Sequence, residues 1–132
     1  MPPVRFSKED FLAGKVVKPG YYHTLVKNVV TKPAKKDQSD VYNIQMRIVQ
    51  PGDYLGVPLT DYISEKAVGT AIPYVRACNN GKDPNPDESY ELANGVGKIL
   101  KVLIGNDLYG GKITNTINDY QPADAGFVPA ED

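Results

Sequence analysis

Residues 41–50, with the sequence VYNIQMRIVQ, alternate between apolar and polar side chains. The apolar side chains are Tyr42, Ile44, Met46 and Ile48. The polar side chains between them are Asn43, Gln45 and Arg47. Successive side chains of a β-strand point to opposite faces of the sheet. The segment is therefore predicted as a strand with one face in the core and a polar face outside.

Strand signals continue on both sides of this segment. Residues 21–31 are rich in Tyr, Thr and Val and follow a Lys-Pro-Gly turn, which favours a first strand. Residues 57–63 follow the turn PGDYLG and are predicted to pair with residues 41–50 as an antiparallel hairpin. Between the first two strands, residues 31–40 are rich in lysine and small polar residues, which indicates an exposed basic loop.

After the third strand the period changes to that of a helix. Residues 65–79 carry apolar side chains at helical spacing, and Pro73 predicts a kink or two shorter pieces. Cys78 is interpreted as a small buried residue. A short N-terminal helix is expected from Phe6 to Gly14, with Phe6 and Phe11 packing on the core.

Two further strands complete the domain. Residues 99–104 and 112–120 are predicted as the fourth and fifth strands, joined by a turn at residues 106–111. Residues 1–120 are predicted to form one mainly β domain. Residues 121–132 are expected to be a flexible acidic tail, which either stays in solvent or lies over the basic groove of its own domain or on a partner protein. A helix between the third and fourth of five strands is the element order of the OB-fold barrel, whose open face binds oligonucleotides or oligosaccharides.

The composition argues against several classes of function. With one cysteine and one histidine, His23, the chain cannot build a zinc cluster, and no cofactor or metal is expected. His23 is interpreted as a strand residue with a satisfied side chain. No P-loop or calcium loop has the required residues, so we expect no enzyme activity. The absence of a long apolar run or signal peptide indicates a cytoplasmic protein that does not enter a membrane.

The charge is distributed unevenly along the chain. Residues 1–36 carry eight Lys or Arg against two acids, whereas the remainder carries seven against fourteen. This asymmetry indicates either a basic surface for an anionic partner or charges that intermingle after folding. Cations together with aromatic side chains suit a single-stranded nucleic acid. The candidate binding residues are Lys27, Lys32, Lys35, Lys36, Asn43, Gln45, Arg47, Tyr54, Tyr62 and Lys101.

Several longer stretches carry a family resemblance. They are KPGYY at 18–22, VQPGDYLGVPL at 49–59, GKILKV at 97–102 and YGGKITNTINDYQP at 109–122. Together they resemble a family of small bacteriophage single-stranded-DNA-binding proteins. The resemblance implies an OB-fold that coats single strands during phage DNA replication or recombination. It also implies recruitment of phage or host replication proteins by an acidic tail, although this tail lacks a dense acidic and aromatic tip.

Two other functions remain open at this stage. A protein-interaction or virion-associated module would use the same barrel, in keeping with the formal net charge of −1. A small metal-dependent nuclease would rest only on scattered aspartates. The choice between DNA and RNA and the presence of a homo-oligomer are not determined by the sequence.

Overall fold

The computed structural model describes residues 3–5, 7, 11–33, 40–87 and 89–130. Five strands dominate it: β1 (Gly20–Pro33), β2 (Asp40–Ile48), β3 (Pro58–Ser64), β4 (Ile99–Tyr109) and β5 (Lys112–Pro122). They form one sheet in the order β3-β2-β1-β4-β5, and every neighbouring pair is antiparallel. The mainly β class and all five predicted strands are confirmed.

The core lies on one face of the sheet, as the alternation in β2 predicts. Ile44, Met46 and Ile48 are buried, whereas Gln45 and Arg47 on the opposite face are half-buried. Their buried neighbours come from every strand, from the helix and from Val17. The face that carries Gln45 and Arg47 is called the outer face below.

The sheet does not close into the predicted barrel. β3 and β5 are the two edges of the sheet, and no backbone ladder joins them. Instead, the Tyr120 hydroxyl of β5 donates a hydrogen bond to Asp61 Oδ2 of β3, at 2.7 Å. A side-chain contact thus bridges the two edges where a closed barrel would have a ladder.

The predicted helix over residues 65–79 is two shorter pieces, one of the two outcomes expected from Pro73. A 3-10 helix spans Glu65–Ala71, with a non-helical backbone at Ala67, and helix α1 spans Ile72–Cys78. Pro73 lies in the first turn of α1, where backbone N–H groups make no hydrogen bond within the helix, so the lack of an N–H in proline costs nothing. The break therefore precedes Pro73, and no kink is needed there. Cys78 is buried, as predicted.

The β4–β5 hairpin is longer than the sequence predicts. Asn106 to Tyr109 continue β4 instead of forming a turn, and the turn is confined to Gly110 and Gly111, at φ 58° and 80°. Asn106 faces Asn115 across the ladder, and the Asn115 side chain bonds the backbone of Lys15 and Val17. These bonds hold turn-forming residues in strand conformation. A 3-10 turn over Leu92–Gly95 was not anticipated.

Both ends of the chain differ from expectation. Part of the predicted N-terminal helix, including Phe6, lies outside the described residues. At its end Phe11 and Leu12 are helical, and Gly14 has a φ of 75°. Phe11 is 73% exposed, so its predicted role as a core residue is wrong. The segment predicted as a free tail instead contacts the sheet: β5 runs to Pro122, and Ala130 donates its N–H to the Val49 carbonyl.

Candidate nucleic-acid interface

A groove crosses the outer face of β1, β2 and β3. Its volume is about 630 Å³. Strand register explains how it forms, because Gln45 faces Asn28 of β1 on one side and Thr60 of β3 on the other. Three neighbouring strands thus place polar side chains in one row across the sheet.

A β-bulge supplies the cation on the β1 side of the groove. The β1–β2 register shifts between Val26 and Asn28, so that Lys27 is the extra residue. A bulge interrupts the alternation of side chains and re-aims them. Lys27 and Asn28 are consecutive, yet both line the groove.

The groove is cationic. Lys27 and Arg47 line it, and none of the described residues in its lining carries a carboxylate. The rest of the lining is amide, hydroxyl and apolar surface, including Asn28, Gln45 and Thr60. Two cationic side chains in one groove favour an anionic ligand.

Tyr62 extends the groove toward β5. A second cavity of about 290 Å³ shares Pro58 to Thr60 with the groove and reaches Tyr62 and Asn115. The Tyr62 side chain is on the same outer face as Thr60 and is 69% exposed. It therefore offers an accessible ring next to the cationic groove.

The structure brings four of the ten predicted binding residues together in this way: Lys27, Gln45, Arg47 and Tyr62. Lys32 is exposed on β1 and faces Val41, beyond the groove lining. Lys35 and Lys36 lie outside the described residues.

Three predicted binding residues are engaged elsewhere. Asn43 is only 8% exposed, so a ligand on the outer face does not reach it as expected. The Tyr54 ring packs edge-on against Tyr22, with centroids 5.8 Å apart, and belongs to the margin of the core. The Lys101 ammonium lies 3.2 Å from Asp124 in the C-terminal segment.

The C-terminal segment covers another part of the outer face, around His23 of β1. The Phe127 ring stacks on the imidazole, with centroids 3.8 Å apart and planes 7° apart. The Asp124 N–H donates to His23 Nε2 at 3.1 Å, and His23 Nδ1 lies 2.9 Å from Gln50 Oε1. An imidazole that accepts at Nε2 carries its proton at Nδ1, so His23 donates to Gln50. Its predicted satisfied side chain is confirmed.

The buried titratable groups lie away from the groove. Burial raises the pKa of Asp61, although hydrogen bonds from Tyr120 and from the Tyr62 backbone act in the opposite direction. Burial likewise raises the pKa of the Cys78 thiol, which disfavours the reactive thiolate. In the part of the chain that is described, no three His, Cys, Asp or Glu residues are grouped to hold a metal ion.

Two polar groove residues, Thr60 and Asn28, were missed by sequence reasoning, and one of them had a signal. Thr60 lies between Pro58 and Tyr62 on the same face of β3, so the alternation of side chains along that strand predicts its exposure on the outer face. Asn28 had no such signal, because it lines the groove only through the bulge. The contact between His23 and Phe127 joins residues far apart in the chain, and its one signal in the sequence is that Phe127 is the only aromatic residue after Tyr120.

Comparison with known proteins adds no assignment. No protein-family model matches the chain, and no curated protein matches it. Among the described helices, none has the length and apolar character needed to cross a membrane.

Proposed function

We propose that this protein is a non-catalytic module that binds single-stranded DNA with little sequence preference. The observation that supports this most strongly is the groove on the outer face, where Lys27 and Arg47 flank amide and hydroxyl side chains. The family resemblance extends the proposal to phage DNA replication or recombination.

The arrangement of the strands supports an OB-like fold for this role. The order β3-β2-β1-β4-β5, with α1 between β3 and β4, becomes the OB-fold barrel if β3 and β5 pair. OB-folds bind oligonucleotides on the face of their second and third strands. The groove and Tyr62 lie on that face here.

Each groove residue suits one part of a single strand. Lys27 and Arg47 would contact phosphates, and the exposed Tyr62 ring would stack on a base. Gln45, Asn28 and Thr60 would offer hydrogen bonds to sugars or base edges. Stacking and phosphate contacts do not distinguish among the four bases, which is why we expect sequence-tolerant binding.

The proposal is tested with labelled strands of about 30 nucleotides, a length that covers several OB-fold binding sites. Fluorescence anisotropy compares oligo-dT, a duplex of equal length and oligo-rU at low salt. We expect the dT strand to bind more tightly than the duplex. No binding of dT, or stronger binding of the duplex, would overturn the proposal; the rU strand shows whether DNA is preferred.

A second candidate function is supported by the tip of the β4–β5 hairpin. Leu108 and Ile113 face each other across the ladder and are 70% and 55% exposed. Exposed apolar side chains of this kind occur at protein-protein contacts. A protein-interaction module would therefore use the hairpin, and a partner that stays bound after nuclease treatment of an infected-cell lysate would favour it.

A further inference from the structure

We propose that His23 and Lys101 form a second part of the same single-strand-binding face, and that the C-terminal segment occupies it in the free protein. This inference rests on the proposed function. The occupying segment is residues 123–130, called the C-terminal segment below. The ligand class is one nucleotide of a single strand, with its base on His23 and its phosphate at Lys101.

The stack between Phe127 and His23 has the geometry of a base-stacking site. Two nearly parallel aromatic planes with centroids 3.8 Å apart lie on the outer face of a strand. His23 is only 5% exposed in this arrangement, although it is on the outer face opposite Lys101 of β4. Histidine rings serve as stacking surfaces for unpaired bases. Removing the Phe127 ring would expose such a surface.

The charged contact beside the stack has the pattern of a phosphate contact. The Asp124 carboxylate lies 3.2 Å from the Lys101 ammonium, and the same ammonium lies 5.5 Å from the centre of the Tyr21 ring. The C-terminal segment therefore places the Phe127 ring on the His23 ring and the Asp124 carboxylate beside the Lys101 ammonium. A nucleotide offers the same two groups, a π-face and a negative charge.

This covered surface is continuous with the groove. Along β1 the outer face carries His23, then Leu25, then Lys27 of the groove. Leu25 faces Arg47 on β2, so the groove cation and the covered histidine are separated by one outer-face position. A strand of several nucleotides that lies in the groove would reach His23 if the C-terminal segment moved away.

Competition between the C-terminal segment and DNA follows from this overlap. The segment carries few anchors besides the stack and the ion pair: the N–H of Asp124 bonds His23, and the N–H of Ala130 bonds the Val49 carbonyl. A segment docked in about nine molecules of ten would reduce the apparent affinity for DNA about tenfold. Weakening its docking should therefore strengthen DNA binding.

The test uses the full-length chain with the double variant Phe127→Ala/Asp124→Asn. The anisotropy titration with oligo-dT should show an affinity increase of about threefold to tenfold. The matched control is Val128→Ala/Asp87→Asn, which removes an exposed apolar side chain and one negative charge but leaves the stack on His23 and the ion pair with Lys101 in place. The control should bind DNA like the wild type.

A second measurement reports on the segment directly. The chain has no tryptophan, so Phe127→Trp places a single indole at the stack, which can be excited selectively over the nine tyrosines. Adding oligo-dT should shift its emission toward that of a solvent-exposed indole, and adding His23→Ala to the double variant should remove the gain in affinity.

The outcomes separate the two proposals. If the wild type binds oligo-dT, but the double variant binds no more tightly and the indole emission of the Phe127→Trp variant stays constant, the inference is overturned and the proposed function stands. If neither the wild type nor the double variant binds oligo-dT, the proposed function is overturned together with the inference.

Discussion

The Tyr120 hydroxyl and Asp61 Oδ2 lie 2.7 Å apart, and their hydrogen bond bridges the two edge strands of the sheet. Tyr120 is buried and Asp61 is half-buried, and burial raises the pKa of both groups. The Tyr120 ring also packs edge-on against Tyr74 of α1, with centroids 5.4 Å apart. One tyrosine thus connects β5, β3 and the helix.

Removing this hydroxyl should destabilise the protein. Tyr120→Phe deprives the half-buried Asp61 carboxyl of its side-chain hydrogen bond, which costs about 1–3 kcal/mol of unfolding free energy. Urea denaturation followed by circular dichroism measures the change. The control is Tyr21→Phe, which removes a hydroxyl bonded to Asp119 at the exposed surface and should change stability much less. Equal effects of the two substitutions would contradict the account of the bridge.

The same pair predicts a dependence of stability on pH. Because the pKa of Asp61 is raised above 3.8 in the folded state, the folded protein holds this proton to higher pH than the unfolded chain does. The stabilising contribution of protonated Asp61 is complete below 3.8 and is lost as the pH rises through the folded pKa. Asp61→Asn keeps an oxygen acceptor for Tyr120 and does not titrate.

We therefore expect Asp61→Asn to be more stable than the wild type near neutral pH, with the difference disappearing in acid. Urea midpoints of both proteins, measured from acid to neutral pH, show which protein is the more stable at each pH. A variant that gains stability over the wild type as the pH falls would show that the carboxylate form is the one the fold favours.

Close packing at Gly95 gives a third prediction. A Cβ at this position would touch the Tyr74 side chain and lie 2.9 Å from Cys78 Sγ, and both residues are buried. Gly95→Ala should thus cost about 1–3 kcal/mol, as overpacking does in other cores. Gly69→Ala is the control, since no atom lies within 4 Å of its added Cβ. Thermal denaturation of both variants should show a lower Tm for Gly95→Ala alone.

Two tyrosines should differ in their effects on DNA binding. Tyr62→Ala removes an exposed ring from the groove and should weaken oligo-dT binding by about 1–3 kcal/mol, the usual contribution of one stacked base. Tyr54→Ala removes a ring that packs against Tyr22 and should chiefly lower stability. Anisotropy titrations and urea denaturation of the two variants separate these effects. A loss of folding in Tyr62→Ala would show that its ring belongs to the core.

The sequence predicted the strands well because their signal is local. The alternation of residues 41–50 reports the pleat directly, and the buried Ile44, Met46 and Ile48 follow from it. The ends of β4 and β5 were predicted less well, since Asn106 and Asp107 are turn-forming residues by type. The hydrogen bonds of Asn106 and Asn115 to the backbone of Lys15 and Val17 explain why that stretch stays extended.

The residues of the candidate site could be predicted only where the alternation of side chains along a strand decides which of them are exposed. Gln45, Arg47 and Tyr62 lie on the outer face as the period of two requires, whereas Asn43 on the same face is buried by its surroundings. The involvement of Lys101 with Asp124 could not be predicted, because a contact over 23 residues depends on where the chain returns after β5.

The measurement that tests the central claim most directly is the salt dependence of oligo-dT binding. Each phosphate contact to a single strand contributes about 0.7 to the slope of log K against log salt. The wild type should bind less tightly as salt rises, and Lys27→Ala/Arg47→Ala should bind more weakly with a slope smaller by about 1.4 for the two lost contacts. Removing two charges outside the groove with Lys82→Ala/Lys18→Ala should leave the slope nearly unchanged. Salt-independent binding, or equal slopes for the wild type and the groove variant, would contradict the account.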